Sequence, residues 1–286
     1  TLIVDEAHNL IDAAFTQFSQ NIDFALLKSN LLVCQPKFSG NSRWKNSLNS
    51  FSEKIPELKN NIIDIDQSID IALDVIKIFF SRIAIEYGSR YSPNSPYIEK
   101  IIIEDINEEY RNLPEELRQV NKKLDDCERY IIKLCDILHK ADLEKDKIKE
   151  LHLNSLQKAD SLHAIIQSFR FLTSNQDSEC VYWQEGTFRK NSPSKNTLPE
   201  ISIHGAPIDA GTILSESLFQ NINSIILTSA TLQVNHSFDY FLNRSGISRI
   251  DNVNKNFSDC PSHFLYSEQV HYHQYSGNTS LSDNPH

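Results

Sequence analysis

The sequence predicts an α/β protein with a large all-α insertion, and three observations support this fold class. An uncharged run at residues 1–4 ends in two carboxylates, and an apolar run at residues 225–227 ends in a polar turn. The long segment between these runs has apolar side chains at helical spacing. Apolar strands with polar groups at their carboxyl ends are typical of parallel sheets, which place ligands at that edge.

The first strand, residues 1–4, leads directly into Asp5-Glu6-Ala7-His8. Because the strand is uncharged, we expect it to be covered on both faces of a parallel sheet. At the end of the equivalent strand in P-loop ATPases, one carboxylate holds Mg²⁺ and a neighbouring group positions or deprotonates the attacking water. Asp5 and Glu6 are therefore the candidates for these two tasks, and His8 lies beside them.

Three apolar stripes predict three helices that pack as an antiparallel bundle. The first, over residues 62–83, has a 3-4-3-4 rhythm, and Gly88 with the Ser92–Pro96 stretch should end its helix. The second keeps a seven-residue repeat over residues 113–138 and begins with Pro-Glu-Glu, which suits a first helical turn. The third, over residues 148–169, is interrupted at a serine. These stripes predict a core, and a coiled-coil partner surface is the alternative.

Two short runs after the helices, Val181–Gln184 and Ile201–His204, predict strands joined by a basic loop that brings the chain back to the domain of the first strand. At least one of the two aromatic side chains in the first run should be buried, because one face of a strand must pack on the core. The basic loop between the runs is either a solvated turn or a contact to the DNA phosphate backbone. Its candidate DNA-binding residues are Arg189, Lys190 and Lys195.

The strand ends resemble two helicase motifs. Asp5-Glu6-Ala7-His8 resembles motif II of DEAH-box helicases, and the run Ser224-Ile-Ile-Leu-Thr-Ser-Ala-Thr-Leu232 resembles motif III. Their unusually long separation resembles the DinG/XPD type of DNA helicase, in which a helical arch interrupts the first motor domain. Residues 201–209, 218–219 and 237–241 are similar to the bacterial DinG branch.

This resemblance implies a partial RecA-like P-loop NTPase domain interrupted by a helical-bundle arch. The motif II strand and the helix after it would occupy residues 1–20, and the arch residues 21–179. Residues 180–246 would return to the first motor domain with motif III. The irregular tail, residues 247–286, would be a truncated or divergent entry into a second motor domain.

The resemblance also implies the activity, an ATP-dependent DNA helicase that translocates on single-stranded DNA and unwinds duplexes in repair or replication. The cofactors would be ATP and Mg²⁺, with Asp5 binding Mg²⁺ through water and Glu6 orienting and activating the hydrolytic water. His8 and the motif III turn would couple the nucleotide state to DNA binding. The residues of that turn are Thr228, Ser229, Ala230 and Thr231.

The sequence contains no G-x-x-x-x-G-K-[ST] loop, which supplies the phosphate cradle of such ATPases. It also contains no Met. We therefore expect an interior fragment that is inactive by itself. Members of the family often bind an iron–sulfur cluster upstream of motif II, and the five cysteines here do not match its ligands. These cysteines are expected to be reduced thiols.

The composition bounds the class of protein. A formal net charge of −10 argues against a generally basic nucleic-acid-coating protein, although a local groove can still grip DNA. The most apolar stretches are interrupted by charges, so no membrane segment is expected. We expect a monomeric bacterial protein in the cytoplasm.

Two other functions compete with the helicase. One is a non-catalytic helical interaction protein in which the Asp-Glu-Ala-His run is accidental. The other is a zinc hydrolase, but H-E-x-x-H requires a second histidine and Asp12 stands four residues after His8. The histidines of the tail show no defined zinc-ligand spacing.

Overall fold

The computed structural model describes residues 1–38, 42–90, 100–141, 145–174, 177–187, 198–251, 254–260 and 266–272. The strands are β1 (Leu2–Val4), β2 (Gln20–Asp23), β3 (Lys100–Ile103), β4 (Cys180–Thr187), β5 (Glu200–Pro207) and β6 (Ile225–Leu227). The helices are α1 (Leu10–Phe18), α2 (Phe24–Val33), α3 (Arg43–Ser52), α4 (Pro56–Arg90), α5 (Ile106–Glu109), α6 (Pro114–Lys140), α7 (Lys145–Thr173), α8 (Ala210–Ile213), α9 (Asp239–Ser245) and α10 (Tyr266–Gln269).

The mixed α/β class is confirmed, and the strands form two separate sheets. Strands β1 and β6 form a parallel pair in which Leu2 faces Ile225 and Val4 faces Leu227. The other sheet is antiparallel, with the strand order β2-β5-β4-β3. The chain therefore leaves the parallel pair after β1 and returns to it only at β6.

The three predicted helices are present as α4, α6 and α7, and their side-chain contacts show an antiparallel arrangement. The Asn61 amide donates to the carbonyl of Tyr130 at 3.2 Å near the start of α4, whereas Arg82 near its end lies 3.5 Å from Glu116. Helices α6 and α7 are also antiparallel. Their facing pairs are Asp125 with Arg170, Glu128 with His163, and His139 with His152.

All three stripes lie in one core. The rings of Phe79 and Phe169 pack edge-to-face with their centroids 5.7 Å apart, and this contact joins α4 to α7. Gly88 and Ser155 lie within helices α4 and α7 without breaking them. Helix α4 continues through Gly88 to Arg90, because one glycine costs only about 1 kcal/mol in a long packed helix. The Ser92–Pro96 stretch lies outside the described residues.

Ser155, the polar residue that interrupts the third stripe, lies inside α7, and the helix runs unbroken through it. This buried side chain accepts a hydrogen bond from the Trp44 indole N–H at 3.0 Å and donates one to the carbonyl of Leu151 at 2.9 Å. The hydroxyl is therefore satisfied inside the core, and it joins α3 to α7. Helix α6 begins with Pro114 as its first residue, as the sequence predicts.

The prediction that the insertion is entirely helical was wrong. Strand β3 lies between α4 and α6 in the chain, and β2 pairs with β5 so that Gln20 faces Gly205. Both strands are four residues long, which is too short for a two-residue periodicity to stand out in the sequence. The predicted strands β4 and β5 are confirmed, with Tyr182 buried and Trp183 on the opposite face.

The antiparallel sheet packs directly on the bundle through glycines. A Cβ atom on Gly186 would lie 2.3 Å from the ring of Tyr87, and one on Gly205 would lie 2.8 Å from Leu172. Both glycines thus allow an α4 or α7 side chain to rest on the strand backbone. The helices and the sheet share one continuous core, to which Ile22, Ile103 and Ile203 also belong.

The parallel pair differs from expectation in its burial. Ile3 is 66% exposed and its neighbour Ile226 is 47% exposed, so one face of the pair is open to solvent. The expectation that the first strand is covered on both faces is therefore wrong for the described residues. A pair of three-residue strands has too few neighbours to cover both of its faces.

Residues 250–286 form a separate compact unit. Its described residues comprise an irregular stretch, 254–260, and the short helix α10. Among the described helices of the chain, none combines the length and the apolarity needed to cross a bilayer.

Replacing Gly186 with Ala should destabilise the protein, because the added methyl would collide with the buried Tyr87 ring. We expect a loss of about 1–3 kcal/mol in the free energy of unfolding, the usual cost of overpacking a core. Urea denaturation of the 286-residue chain measures it. The control is Gly88→Ala on α4, where the nearest atom to the new Cβ is 3.9 Å away, and it should gain roughly 0.5–1 kcal/mol. Equal effects of the two substitutions would contradict the packing described here.

Candidate functional site

The parallel pairing of β1 with β6 brings the two sequence motifs together. Val4 faces Leu227, so the residues that follow, Asp5 and Thr228, leave the same edge of the sheet. The Thr228 hydroxyl donates to Asp5 Oδ1 at 2.6 Å. The backbone adds two further bonds, from the Thr228 N–H to the carbonyl of Val4 and from the Ala7 N–H to the carbonyl of Thr228, both 2.9 Å long. The turn after β1 is thus joined by hydrogen bonds to the turn after β6.

Asp5 is exposed and held as a carboxylate. The hydroxyl of Thr228 and, to a smaller extent, the backbone N–H of Glu6 lower the pKa of Asp5, because both donate to its ionised form. Both donors reach the same oxygen, Oδ1. One carboxylate oxygen is therefore engaged by the protein while the group as a whole faces solvent.

Glu6 has a left-handed backbone conformation, with φ 50° and ψ 44°. This conformation is costly for a residue with a Cβ atom, and such residues cluster at functional sites. It turns the chain out of β1 and into the 3-10 turn Ala7–Asn9 that precedes α1. The Glu6 side chain is 63% exposed, and its Oε2 lies 3.2 Å from Nδ1 of His8.

His8 joins the two motifs a second time. Its Nδ1 lies 2.7 Å from Oγ of the half-buried Ser229, and the tautomer decides which atom donates. Nδ1 thus has two neighbours, the Ser229 hydroxyl and the Glu6 carboxylate. Ser229 Oγ also accepts the backbone N–H of Thr231 at 3.4 Å. Ala230, between them, is exposed.

The residues present fit a hydrated magnesium ion. Asp5 and Glu6 offer hard carboxylate oxygens at the end of a strand and are exposed to solvent. Magnesium usually retains several waters and needs only one or two carboxylates from the protein. Within the described ranges, no group of three or more His, Cys, Asp or Glu side chains is arranged to hold a metal ion. Water and phosphate oxygens would therefore have to complete the coordination.

The other candidates named from the sequence are the basic loop residues and the cysteines. The basic loop residues Arg189, Lys190 and Lys195 fall outside the described residues. All five cysteines are free. Burial raises the pKa of Cys34 and Cys135 to about 11 and that of Cys127 to about 12, so these thiols stay protonated at neutral pH.

Sequence reasoning missed an ion pair between Asp209 and Arg249. Asp209 caps the N-terminus of α8 by accepting the N–H of Gly211, and Arg249 binds both Asp209 and Thr212. Burial opposes ionisation of Asp209, but the bonds from Arg249 and Gly211 outweigh it, so its pKa is lowered. An Asp followed two residues later by Gly is a recognisable turn signal, but nothing local identified the distant Arg249.

Comparison with known proteins gives a short match. No protein-family model matches the chain. A stretch of 55 residues, 19% of the chain, is 36% identical to the 3'-5' exonuclease DinG of Bacillus subtilis (strain 168). That stretch covers 6% of the length of the Bacillus protein. The match indicates at most a DinG-related region within the chain.

Replacing Glu6 with Gly should stabilise the fold, because glycine adopts the left-handed conformation without steric strain. We expect the free energy of unfolding to rise by up to about 1 kcal/mol, as measured by urea denaturation. The matched control is Asn235→Gly at φ 52°, where a smaller gain is expected because Asn tolerates this conformation. A lower stability of the Glu6 variant would show that contacts of the carboxylate outweigh the backbone strain.

Proposed function

We propose that the 286 residues form part of an ATP-dependent DNA helicase of the DinG/XPD type. The observation that carries this proposal is the hydrogen bonding of Asp5 to Thr228 and of His8 to Ser229 at the ends of two adjacent parallel strands. An accidental Asp-Glu-Ala-His run would have no reason to meet a Thr-Ser-Ala-Thr turn in this way. The similarity to DinG supports the same assignment.

In the proposed reaction, Asp5 binds Mg²⁺ through water and Glu6 orients and activates the attacking water. Bound Mg²⁺ supplies the positive charge that stabilises the phosphoryl group in transfer. Glu6 is exposed and adjacent in sequence to Asp5, so its carboxylate would be available to orient a water when the ion is bound. The ionised state of Asp5, favoured by Thr228, suits a cation ligand.

His8 and the motif III turn couple the nucleotide site to DNA in this proposal. Nδ1 of His8 has both Glu6 and Ser229 as neighbours, so a movement of Glu6 towards a nucleotide would change the bond to Ser229. Ser229 passes the change to the backbone of Thr231. Hydroxyl groups can exchange partners at low cost, which suits a link between two states.

The bundle of α4, α6 and α7 would be the helical arch, within the range 21–179, and residues 180–246 would return to a RecA-like motor domain. Helix α4 alone has 35 residues, about 50 Å of helix, and makes a stiff lever. The antiparallel sheet would form the base of this arm, because β2 and β5 lie where the chain enters and leaves the bundle.

The partners in this proposal are ATP and single-stranded or duplex DNA. The name of the Bacillus relative describes an exonuclease, whose substrate is also a nucleic acid, so it agrees with a nucleic-acid partner for this chain. The rival function is a non-catalytic helical interaction protein. Changing the carboxylates of Asp5 and Glu6 would leave partner binding by such a protein unchanged.

Glu6→Gln should abolish ATP turnover in the complete ATPase, with its phosphate-binding loop present, while ATP binding persists. The amide keeps the size of the side chain but is not a base, so kcat should fall at least ~10²-fold. Single-turnover hydrolysis and nucleotide-binding assays measure the two effects. The matched control is Glu104→Gln, an exposed carboxylate after β3, which should leave turnover unchanged. Hydrolysis at the wild-type rate in the Glu6 variant would show that Glu6 does not activate the attacking water.

The 286-residue chain by itself should show no DNA-stimulated release of phosphate from ATP. Its sequence has no phosphate-binding loop, whose backbone N–H groups and lysine hold the nucleotide. Circular dichroism should still show a strongly helical, folded chain, because the helices and the antiparallel sheet share one large core. Robust turnover by the isolated chain would refute the assignment of an incomplete site.

A further inference from the structure

We propose that Thr228 is the positioning residue for the metal-binding carboxylate: its hydroxyl engages Oδ1 of Asp5 and thereby presents Oδ2 to the hydrated cation. This inference rests on the proposed function, in which Asp5 binds Mg²⁺. It gives Thr228 a task separate from the coupling of motif III to DNA.

The bonds of Thr228 define one orientation of the Asp5 carboxylate. An aspartate carboxylate can rotate about its last side-chain bond, and its two oxygens are equivalent in solution. Here Oδ1 receives two donors, the Thr228 hydroxyl at 2.6 Å and the Glu6 N–H at 3.0 Å. Two donors on one oxygen restrict the rotation of the group, and the other oxygen, Oδ2, is assigned to the cation.

The backbone of Thr228 keeps the hydroxyl in place. Its N–H and its carbonyl bond to Val4 and Ala7, on either side of Asp5, so the motif II turn closes around Thr228. The hydroxyl therefore approaches Asp5 from a fixed position. Partners that orient a metal-binding group in this way typically contribute about 10–100-fold to metal affinity.

A purely structural role for Thr228 would also explain the backbone bonds, and a pair of substitutions separates the two roles. Thr228→Val removes only the hydroxyl and keeps the β-branched shape that suits a strand end. Thr228→Ser keeps the hydroxyl and removes the methyl group. A positioning role requires the hydroxyl, whereas a packing role requires the methyl.

The experiment uses the 286-residue chain with Mn²⁺ as a paramagnetic probe and follows the amide signals of Glu6 and Ala7 by NMR. In the wild type, Mn²⁺ should broaden both signals, and excess Mg²⁺ should reverse the effect. Thr228→Val should need about 10-fold more Mn²⁺ for the same broadening, and Thr228→Ser should behave as the wild type. The amides of Asn107 and Glu108, which bond to the carboxylate of Asp105, give an internal reference that neither substitution should alter.

Thr187→Val, on the exposed end of β4, is the matched control and should behave as the wild type. Unchanged broadening in Thr228→Val, or reduced broadening in Thr228→Ser, would overturn the positioning role alone. If Mn²⁺ fails to broaden Glu6 and Ala7 in the wild type, Asp5 of this chain does not hold the cation and the positioning role is overturned, whereas the proposed function is tested separately by Glu6→Gln in the complete ATPase. Should Thr228→Val fail to fold, Thr228→Ala removes the hydroxyl with less bulk and is judged by the same criterion.

Discussion

The parallel pairing of β1 with β6 is the constraint on which the site depends. Each strand has three residues, and the pair joins segments that are very far apart in sequence. Closing a flexible loop of that length costs about 5 kcal/mol in chain entropy, whereas each backbone hydrogen bond contributes only about 1 kcal/mol net. The pair cannot supply this free energy by itself.

The rest of the fold lowers this cost in chain entropy, because it brings the two ends of the helical segment together independently of the parallel pair. Gln20 faces Gly205 across β2 and β5, so the antiparallel sheet already joins the start and end of the helical segment. The sheet is held in turn by the bundle, through Tyr87 on Gly186 and Leu172 on Gly205. Only two short connections then remain between this body and the parallel pair. The large core thus stabilises the fold, and the parallel pair then fixes the register in which Val4 faces Leu227.

The candidate site that depends on this register combines a strained backbone at Glu6 with exposed carboxylates. Glu6 keeps an unfavourable backbone conformation and stays exposed, and Asp5 stays ionised beside it. A protein selected for stability alone would favour glycine at position 6. The cost is consistent with a site that reserves a carboxylate for a reacting group rather than for packing.

The periodic features could be predicted from the amino-acid sequence: the three helical stripes, the first turn at Pro114, the strands β4 and β5, and the polar groups at the ends of β1 and β6. A repeating pattern indicates which face of an element is apolar, and that is enough to place it on a core. The contact of Thr228 with Asp5, the conformation of Glu6, and the strands β2 and β3 became known from the three-dimensional fold. These depend on which distant segments pair and in which register, and strands of three or four residues carry too few side chains to specify a partner.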